Sequence, residues 1–485
     1  MSSRLGCIVL AMWIGCTGEG TDALFTTDVR LDMASENSDP ESGDTQMCVN
    51  DAGQVFVVWV DDRETEDVPA VWFNRSLDGG QVWLSAAIKV NRGEGGAENP
   101  DIACSDDGVF VVWEDDRDGE LENKQIYFNR SMDMGTTWEE EDVLLEEDPN
   151  GDTISLGPNV EVVGSDVYVA WFDSVNGAYD IYVAASGNNG TDWREPVRVD
   201  SDSQGAAHSA WPQLAATPSG EVLVVWEDAR DGKADIYFAR SDNAGQSFGD
   251  DVNISLDPDQ EPGSSYSFSP RLEISGDHAY VVWHDDRNGE GRDILLQYSA
   301  DLGRNWLVAT QNMGSDAAGF DNSLYADLKV DRRTAHVVWQ DARNTGYDIY
   351  YRRADGGVPM TEEVRVDTDG PGFSNSVNGR IALSGGTVVV VWEDARAEAA
   401  SGVENGYNDL YYNFSTDGGE VFDGEDIRVD SMAPGQSYKL DLNVATHGGD
   451  VLVAWTDGRN GTGDVYFQRH TLGAGGLFVQ EQDGI

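Results

Sequence analysis

A short apolar run that ends in tryptophan and aspartate recurs eight times along the 485-residue chain and constrains the fold more than any other feature. The copies read VVWVDDR, VVWEDDR, VAWFDSV, VVWEDAR, VVWHDDR, VVWQDAR, VVWEDAR and VAWTDGR. Their tryptophans, at intervals of 53 to 63 residues, are Trp59, Trp113, Trp171, Trp226, Trp283, Trp339, Trp392 and Trp455. Strand-rich repeats of this length are typical of propeller blades, since solenoid repeats are shorter or helical. The sequence therefore predicts an all-β fold, an eight-bladed β-propeller with four-stranded blades.

Each repeat contains candidates for four strands, which we name a to d in chain order. The segment 28–32 reads DVRLD and looks like a d strand that no a, b or c strand precedes. We predict that it completes the last repeat and closes the ring, because closure removes exposed sheet edges. The tail at 477–480 is a rival for the same outer position, and the sequence leaves both open.

The N-terminus is predicted to be an export signal over residues 1–15, followed by a tether at 16–27 and the propeller at 28–485. Its apolar run at 8–14 is too short to span a membrane. The end of the run, WIGC, resembles a bacterial lipobox, and the resemblance implies cleavage before Cys16 and a lipid on its thiol. Trp13 departs from the usual leucine, so plain secretion and an uncleaved anchor stay alternatives. We expect an outer-membrane or cell-surface lipoprotein, or a secreted protein, that contacts a membrane only through the lipid.

The charge of the chain excludes one class of partner. Asp and Glu number 89 against 31 Lys and Arg, which gives a net charge of −58. Nucleic-acid binding depends on cationic surface, so we predict no nucleic-acid partner.

Two cysteines lie outside the leader, on a-strand candidates of neighbouring repeats. An exported compartment permits a disulfide between Cys48 and Cys104. Alignment of the two repeats places Cys104 opposite Val49, one residue out of register with Cys48. Successive strand residues point to opposite faces, so we predict free thiols and not a bridge.

A second motif, S-x-D-x-G-x-x-W/F, follows the c strand in six repeats; we call these segments the box loops. The Asp or Asn accepts hydrogen bonds from its own turn, the glycine takes a backbone angle that other residues avoid, and the aromatic packs back on the blade. The residues predicted to organise the box loops are Asp78, Asp133, Asn188, Asn243, Asp301 and Asp417.

The box loops resemble the Asp-box, or bacterial neuraminidase repeat, of sialidases and related β-propellers. The resemblance implies a structural role on the c–d turns, on the face opposite the catalytic site. Sialidases also carry an FRIP-like segment, three arginines that clamp the substrate carboxylate, and a Tyr nucleophile with a Glu partner. No FRIP-like string occurs here, and the nearest is SPRL at 269–272.

The b–c turns carry an arginine two residues after the aspartate in seven of the eight copies. We interpret this pattern as repeated ion pairs between blades. The alternative is calcium, because the sets Asp457, Asn460, Asp464 and Asp173, Asn176, Asp180 place oxygens around glycine-containing loops. No run matches an EF-hand loop and no histidine spacing suits zinc, so we predict no cofactor, with calcium as the alternative.

The repeats differ at the start of each a strand, near the predicted central channel. The aligned residues are Gln46, Asp101, Asn159, Gln213, Arg271, Asp327, Arg380 and Asp441. Aromatic or imidazole side chains near this ring are His208, Trp211, Tyr266, Phe268, Tyr325 and Tyr438. Arg271 and Arg380 flank Asp327, and two guanidinium groups beside aromatics suit an acidic sugar. The alternative is an Arg–Asp–Arg salt bridge that fills the channel.

Three functions follow from these residues. The first is a monomeric exported propeller that binds a glycan or protein at the channel mouth without chemistry, with Asp101 and Asp441 among the contacts. The second is a sialidase-like glycoside hydrolase on acidic glycans, in which Tyr266 or Tyr325 attacks and Asp327 transfers protons. The third is a non-catalytic surface scaffold.

Overall fold

The computed structural model describes residues 27–33, 42–65, 68–117, 123–146, 153–315, 318–360, 362–402 and 406–472. The export signal, Cys16, nearly all of the tether and the tail at 477–480 lie outside the described residues. The described chain forms eight antiparallel sheets, one per repeat, arranged as an eight-bladed β-propeller. This confirms the predicted fold and blade number. Within these ranges no helix is long and apolar enough to cross a membrane.

The strands keep the same order in every blade, from a at the channel to d at the rim. The a strands are Ser42–Val49, Ala97–Cys104, Ser155–Val163, Ser209–Ala216, Ser267–Ser275, Ser323–Asp331, Ser376–Ser384 and Lys439–His447. The b strands are Val55–Asp61, Val109–Asp115, Asp166–Asp173, Val222–Asp228, His278–Asp285, Thr334–Asp341, Thr387–Asp394 and Asp450–Asp457.

The two outer strands differ in length. The c strands are Ala70–Ser76, Gln125–Ser131, Asp180–Ser186, Asp235–Ser241, Asp293–Ser299, Asp348–Asp355, Asp409–Ser415 and Asp464–Thr471. The d strands are Ile88–Lys89, Val143–Leu144, Val197–Arg198, Val252–Asn253, Gln311–Asn312, Val364–Arg365, Ile427–Arg428 and Val29–Arg30. Blade six adds Val358–Pro359 where its box loop is truncated, and one short helix, Arg396–Ser401, lies in the b–c turn of blade seven.

The N-terminal segment closes the ring, as predicted. Val29 pairs with Phe467 and Arg30 with Tyr466, so the first strand of the chain is the outer strand of blade eight. Asp28 strengthens the joint with a 2.7 Å ion pair to Arg459. The free edge of the last c strand is thereby covered.

The b strands are buried on both faces because each blade is packed between two others. In blade one, Phe56 and Val58 pack against blade two. Val57 and Trp59 point the other way and pack against blade eight. Such strands are continuous apolar runs, which explains the VVW pattern.

The same alternation corrects the prediction for the cysteines, because Cys48 and Cys104 form a disulfide with their Cα atoms 6.0 Å apart. Cys48 lies opposite Phe56, on the face toward blade two. Cys104 lies opposite Val109, on the face toward blade one. Neighbouring blades meet with opposite faces, so residues that meet across the joint must be one position out of register. The prediction of free thiols compared equivalent positions and was wrong for this reason.

The box loops have the predicted hydrogen bonds, but their aromatic side chains do not pack back on their own hairpins as predicted. In blade one the hydroxyl of Ser76 donates to Asp78 at 2.7 Å, and the amide of Val82 donates to the same carboxylate oxygen at 2.8 Å. The aromatic side chain packs on the preceding blade, as Trp138 does on Phe73 with ring centroids 5.1 Å apart. The remaining loops repeat the amide contact at Asp133, Asn188, Asn243, Asp301 and Asp417.

Candidate ligand-binding face

The b–c turns and the d–a connections lie on one side of the ring, which we call the binding face, and the box loops lie on the other. In each complete b–c motif the aspartate at the end of the b strand holds both its own tryptophan and the following arginine. The indole of Trp113 donates to Asp115 at 2.9 Å, and Arg117 forms an ion pair with the same carboxylate.

Most of these ion pairs lie within a blade, which corrects the prediction that they join blades. The second carboxylate stands directly before the d strand of the same blade in the pairs Arg117–Asp142, Arg230–Asp251, Arg343–Glu363, Arg396–Asp426 and Arg459–Asp28. Each arginine extends over its own c strand to the carboxylate before the d strand. The spacing of these residues in the sequence does not reveal this contact. Arg287 differs, since its partner Asp257 comes from the connection after blade four.

A β-bulge interrupts every a strand where it reaches the binding face. One residue of each bulge takes a left-handed conformation, with φ from 47° to 61°: Asp44, Asn99, Gly157, Trp211, Ser269, Tyr325, Asn378 and Asp441. Left-handed tryptophan and tyrosine are uncommon and mark strained positions that concentrate at functional sites. Trp211 and Tyr325 are also 58% and 50% exposed. Sequence reasoning missed the bulges, because the extra residue is visible only in the strand register.

The next ring of residues lines the channel, and its eighth member is Asn443 and not Asp441. Asn443 pairs with Ala454, as Arg380 pairs with Val391. Asp441 instead occupies the bulge, where it accepts a hydrogen bond from Thr456 at 2.9 Å. The aligned residues of the other blades stand 12 or 13 positions before the tryptophan, and that spacing would have identified Asn443.

Four members of the channel ring link neighbouring blades: Asn443 donates to the carbonyl oxygen of Thr45 at 2.8 Å, and the other three accept a backbone amide of the next blade. Asp101 accepts the amide N–H of Val160 at 2.8 Å, and Asn159 accepts that of Leu214 at 3.0 Å. Asp327 accepts that of Ile381 at 2.9 Å. Asp101 and Asp327, predicted as ligand contacts, therefore have a structural hydrogen bond across a blade joint.

An arginine side chain cannot accept a hydrogen bond, so Arg271 and Arg380 do not link their blades to the next in this way. Among the described residues neither guanidinium has an ion pair, a hydrogen bond or a ring contact, so the predicted Arg–Asp–Arg salt bridge does not form. Burial lowers the pKa of Arg271, the charge of Arg380 lowers it further, and Asp327 opposes both effects. Two guanidinium groups thus share the channel without a direct ion pair, although burial raises the pKa of Glu393 and the charge of Arg380 opposes that rise. This arrangement favours an anion.

Several of the predicted aromatic residues lie on the binding face, around the mouth of the channel. Trp211 packs on Phe172 with ring centroids 5.3 Å apart, and the exposed His208 lies 5.3 Å from Tyr179. Tyr325 lies 5.9 Å from His284.

The remaining aromatic candidates have separate positions. Tyr266, 40% exposed, stacks on Phe268 with ring centroids 5.2 Å apart. Tyr438 lies farther round the ring, where it packs over Gly458 so closely that a Cβ there would overlap its ring.

A catalytic tyrosine of the sialidase type needs a carboxylate partner. Within the described ranges the hydroxyls of Tyr266 and Tyr325 make no hydrogen bond to a carboxylate. Burial lowers the pKa of the neighbouring His284 to about 4, Arg292 lowers it further and Asp285 opposes, so the imidazole is neutral. In the described residues these two tyrosines are therefore not part of an assembled nucleophile and acid pair.

The two calcium candidates are satisfied by protein groups. Asn176 donates to Asp180 at 2.9 Å, and Asn460 donates to Asp464 at 2.5 Å. A third cluster, of Asp180, Asp200 and Asp202, surrounds the guanidinium of Arg198. The prediction of no cofactor and its calcium alternative both stay predictions.

No family model matches the sequence, and no curated protein matches it. Among solved structures, the chain is similar to the polysaccharide lyase Uly1, with 13% identity, a TM-score of 0.50, and coverage of 81% of this chain and 94% of that one. An α-L-arabinanase of Penicillium chrysogenum in complex with arabinobiose matches with 17% identity, a TM-score of 0.41, and coverage of 66% and 95%. The Hadza microbial sialidase Hz136 matches with 15% identity, a TM-score of 0.40, and coverage of 68% of each chain. At such identities the likeness concerns the fold alone, and it places the chain among β-propellers.

Proposed function

We propose that the protein binds an acidic glycan at the channel mouth of its binding face, without chemical conversion. The observation that carries the proposal is the unpaired state of Arg271 and Arg380 in a chain whose net charge is −58. With carboxylates in such excess, an arginine finds an internal partner at little cost. Two that have none are available to an external anion, which a guanidinium binds through paired N–H donors.

The exposed aromatics favour a glycan among the possible anions. Trp211 and Tyr325 stand on blades four and six, on either side of Arg271 on blade five. Rigid rings offer contact area at low conformational cost to the apolar face of a sugar. The similarity to Uly1, a polysaccharide lyase, agrees with this ligand class.

The test is a glycan array probed with the mature protein and read for both bound protein and released sugar. Retention on acidic glycans and loss of retention in Arg271→Gln are expected. Arg304→Gln, which changes an exposed arginine on the box-loop side, is the matched control. Because Arg271 is desolvated and repelled by Arg380, the melting temperature of Arg271→Gln should equal or exceed that of the wild type.

Other outcomes of the array discriminate among the alternatives. Release of sugar would establish the sialidase-like hydrolase in place of a binding module. Retention on neutral glycans only, or a large loss of stability in Arg271→Gln, would contradict the role given to the arginines. If the array shows neither bound protein nor released sugar, a protein partner or a surface scaffold is favoured.

We also propose that the chain is exported and anchored by a lipid on Cys16. The lipobox-like WIGC supports this, and so does the disulfide, which is typical of oxidising compartments. Mass spectrometry of the protein from a bacterial host should find Cys16 as the first residue, with a lipid attached. Cys16→Ser should move the protein from the membrane to the soluble fraction. A wild-type protein that retains residues 1–15 and reduced cysteines would contradict export.

A further inference from the structure

Four basic side chains in the described part of the chain have neither an ion pair nor a hydrogen bond: Lys233, Arg271, Arg292 and Arg380. Every other described lysine and arginine has at least one such contact. Because the chain has 89 acidic residues, a basic side chain without an acidic partner is unexpected at any position. Lys233 lies on blade four, Arg271 and Arg292 lie on or beside the strands of blade five, and Arg380 faces the channel from blade seven.

Three of these cations follow one another from the b–c turns of the binding face to the channel. Lys233 lies in the b–c turn of blade four, and its ammonium is 4.6 Å from the ring centre of Tyr266. Arg292 precedes the c strand of blade five, and its guanidinium carbon is 5.3 Å from the ring centre of Phe268. Arg271 follows three residues later on the same a strand as Phe268, at the channel.

Aromatic rings lie between these cations. Tyr266 and Phe268 stack with an interplanar angle of 14°. The segment from Tyr266 to Arg271 includes the bulge at Ser269, so it covers four strand positions and, at about 3.3 Å per position, spans roughly 13 Å. A single sugar ring is much shorter than this distance.

The end of this path at the b–c turns opens into a polar cavity of about 410 Å³ beside Lys233. Ser264 and Ser265 line it together with Asp259, Glu261 and Asp286. Carboxylates repel acid groups but accept hydrogen bonds from hydroxyls, so this end suits the neutral hydroxyl face of a sugar.

We propose that the ligand is an extended acidic oligosaccharide or polysaccharide segment that runs from the b–c turns of blades four and five into the channel. Its innermost acid group binds Arg271 and Arg380 in the channel. Acid groups farther along the chain meet Arg292 and Lys233, and the sugar hydroxyls reach the cavity beside Lys233. This inference rests on the proposed binding of acidic glycans and adds that several sugar units are bound at once.

The test measures affinity against chain length by isothermal titration calorimetry. Ladders of one to eight sugar units are prepared from polygalacturonate, from heparin and from the acidic glycan retained best on the array. For at least one ladder we expect affinity to rise until the path is filled. Lys233→Gln and Arg292→Gln should each weaken long oligosaccharides about 3- to 10-fold and leave the shortest ligands unchanged. Arg271→Gln should weaken every length.

Lys89→Gln, which removes a lysine of the blade-one outer strand paired with Glu64, is the control and should change nothing. Equal affinity for one unit and for eight, or an effect of Lys233→Gln on the shortest ligands, would overturn the extended path while leaving the proposed function intact. If no acidic glycan binds at any length, both are wrong.

Discussion

A single side-chain oxygen organises each box loop. In the loop of blade seven, the hydroxyl of Ser415 and the amides of Val421 and Glu420 donate to Asp417 and lower the pKa of its carboxyl. The hydrogen bonds are local, so they form without help from the rest of the ring. The residues of this motif could be identified from the sequence for the same reason.

Asp78→Ala should destabilise the protein by about 0.5–2 kcal/mol, because the amides of Gln81 and Val82 lose their acceptor. Chemical unfolding monitored by tryptophan fluorescence measures this. Asp51→Ala, in an exposed turn on the same side of the ring, should have little effect. Glycan binding should be unchanged, and an altered affinity would show that the two faces are wrongly assigned.

The channel also holds a carboxyl whose ionisation opposes folding. Burial raises the pKa of Glu161 from 4.5 to about 8, Glu273 and Asp101 add to the rise, and Lys329 opposes it. The folded protein therefore binds more protons than the unfolded chain between these two values. Stability from this group is fully present below pH 4.5 and is lost as the pH rises to about 8.

Glu161→Gln should remove this dependence. At pH 9 the variant should be more stable than the wild type by about 1–3 kcal/mol, after allowance for water in the channel, and at pH 4 the difference should vanish. Thermal unfolding across this pH range checks the prediction. Glu140→Gln, at an exposed site, is the control. A constant difference at all pH values would show that Glu161 is ionised in the folded protein.

At the scale of strands and blades, the contacts of a residue depend more on the strand face it occupies than on its position in the repeat. Cys48 and Cys104 illustrate this, since their offset of one position brings them together across a joint. The repeat alignment predicted the strands correctly and the contact wrongly. The left-handed conformation of Trp211 and Tyr325 could not be predicted from the sequence either, because tryptophan and tyrosine do not favour it.

Removal of the disulfide in Cys48→Ala/Cys104→Ala should lower the free energy of unfolding by about 4 kcal/mol, since the closed loop spans 56 residues. The comparison is made by denaturant titration with and without reductant. Reductant should destabilise the wild type and leave the double variant unchanged. Two titratable thiols in the folded, unreduced wild type would contradict the bridge.

At the scale of the whole molecule, the eight-fold period predicted the ring and the unmatched DVRLD segment predicted its closure. The pairing of charges was not predictable in the same way. Whether Arg271 meets Asp327 depends on the width of the channel, a property of all eight blades together. The unpaired cations of the binding face therefore became visible only in the assembled ring.

Ring closure can be tested by truncation. A chain that starts at residue 34 should be less stable than one that starts at residue 27, because it lacks Val29–Arg30 and buried Leu31 and exposes the c strand of blade eight. It should also self-associate in size-exclusion chromatography coupled to light scattering. Equal stability and a monomeric state would show that another segment covers the edge.

The closure joint sets an order on how the molecule is built. Gln468 donates to Asp28 across 440 positions of sequence. Each blade up to the seventh can form as soon as its own residues leave the ribosome, but the first strand must wait for nearly the last. In a chain that ends before the c strand of its eighth repeat, the first strand has no partner to pair with. The final blade is therefore complete only when the first and the last strands of the propeller are both present.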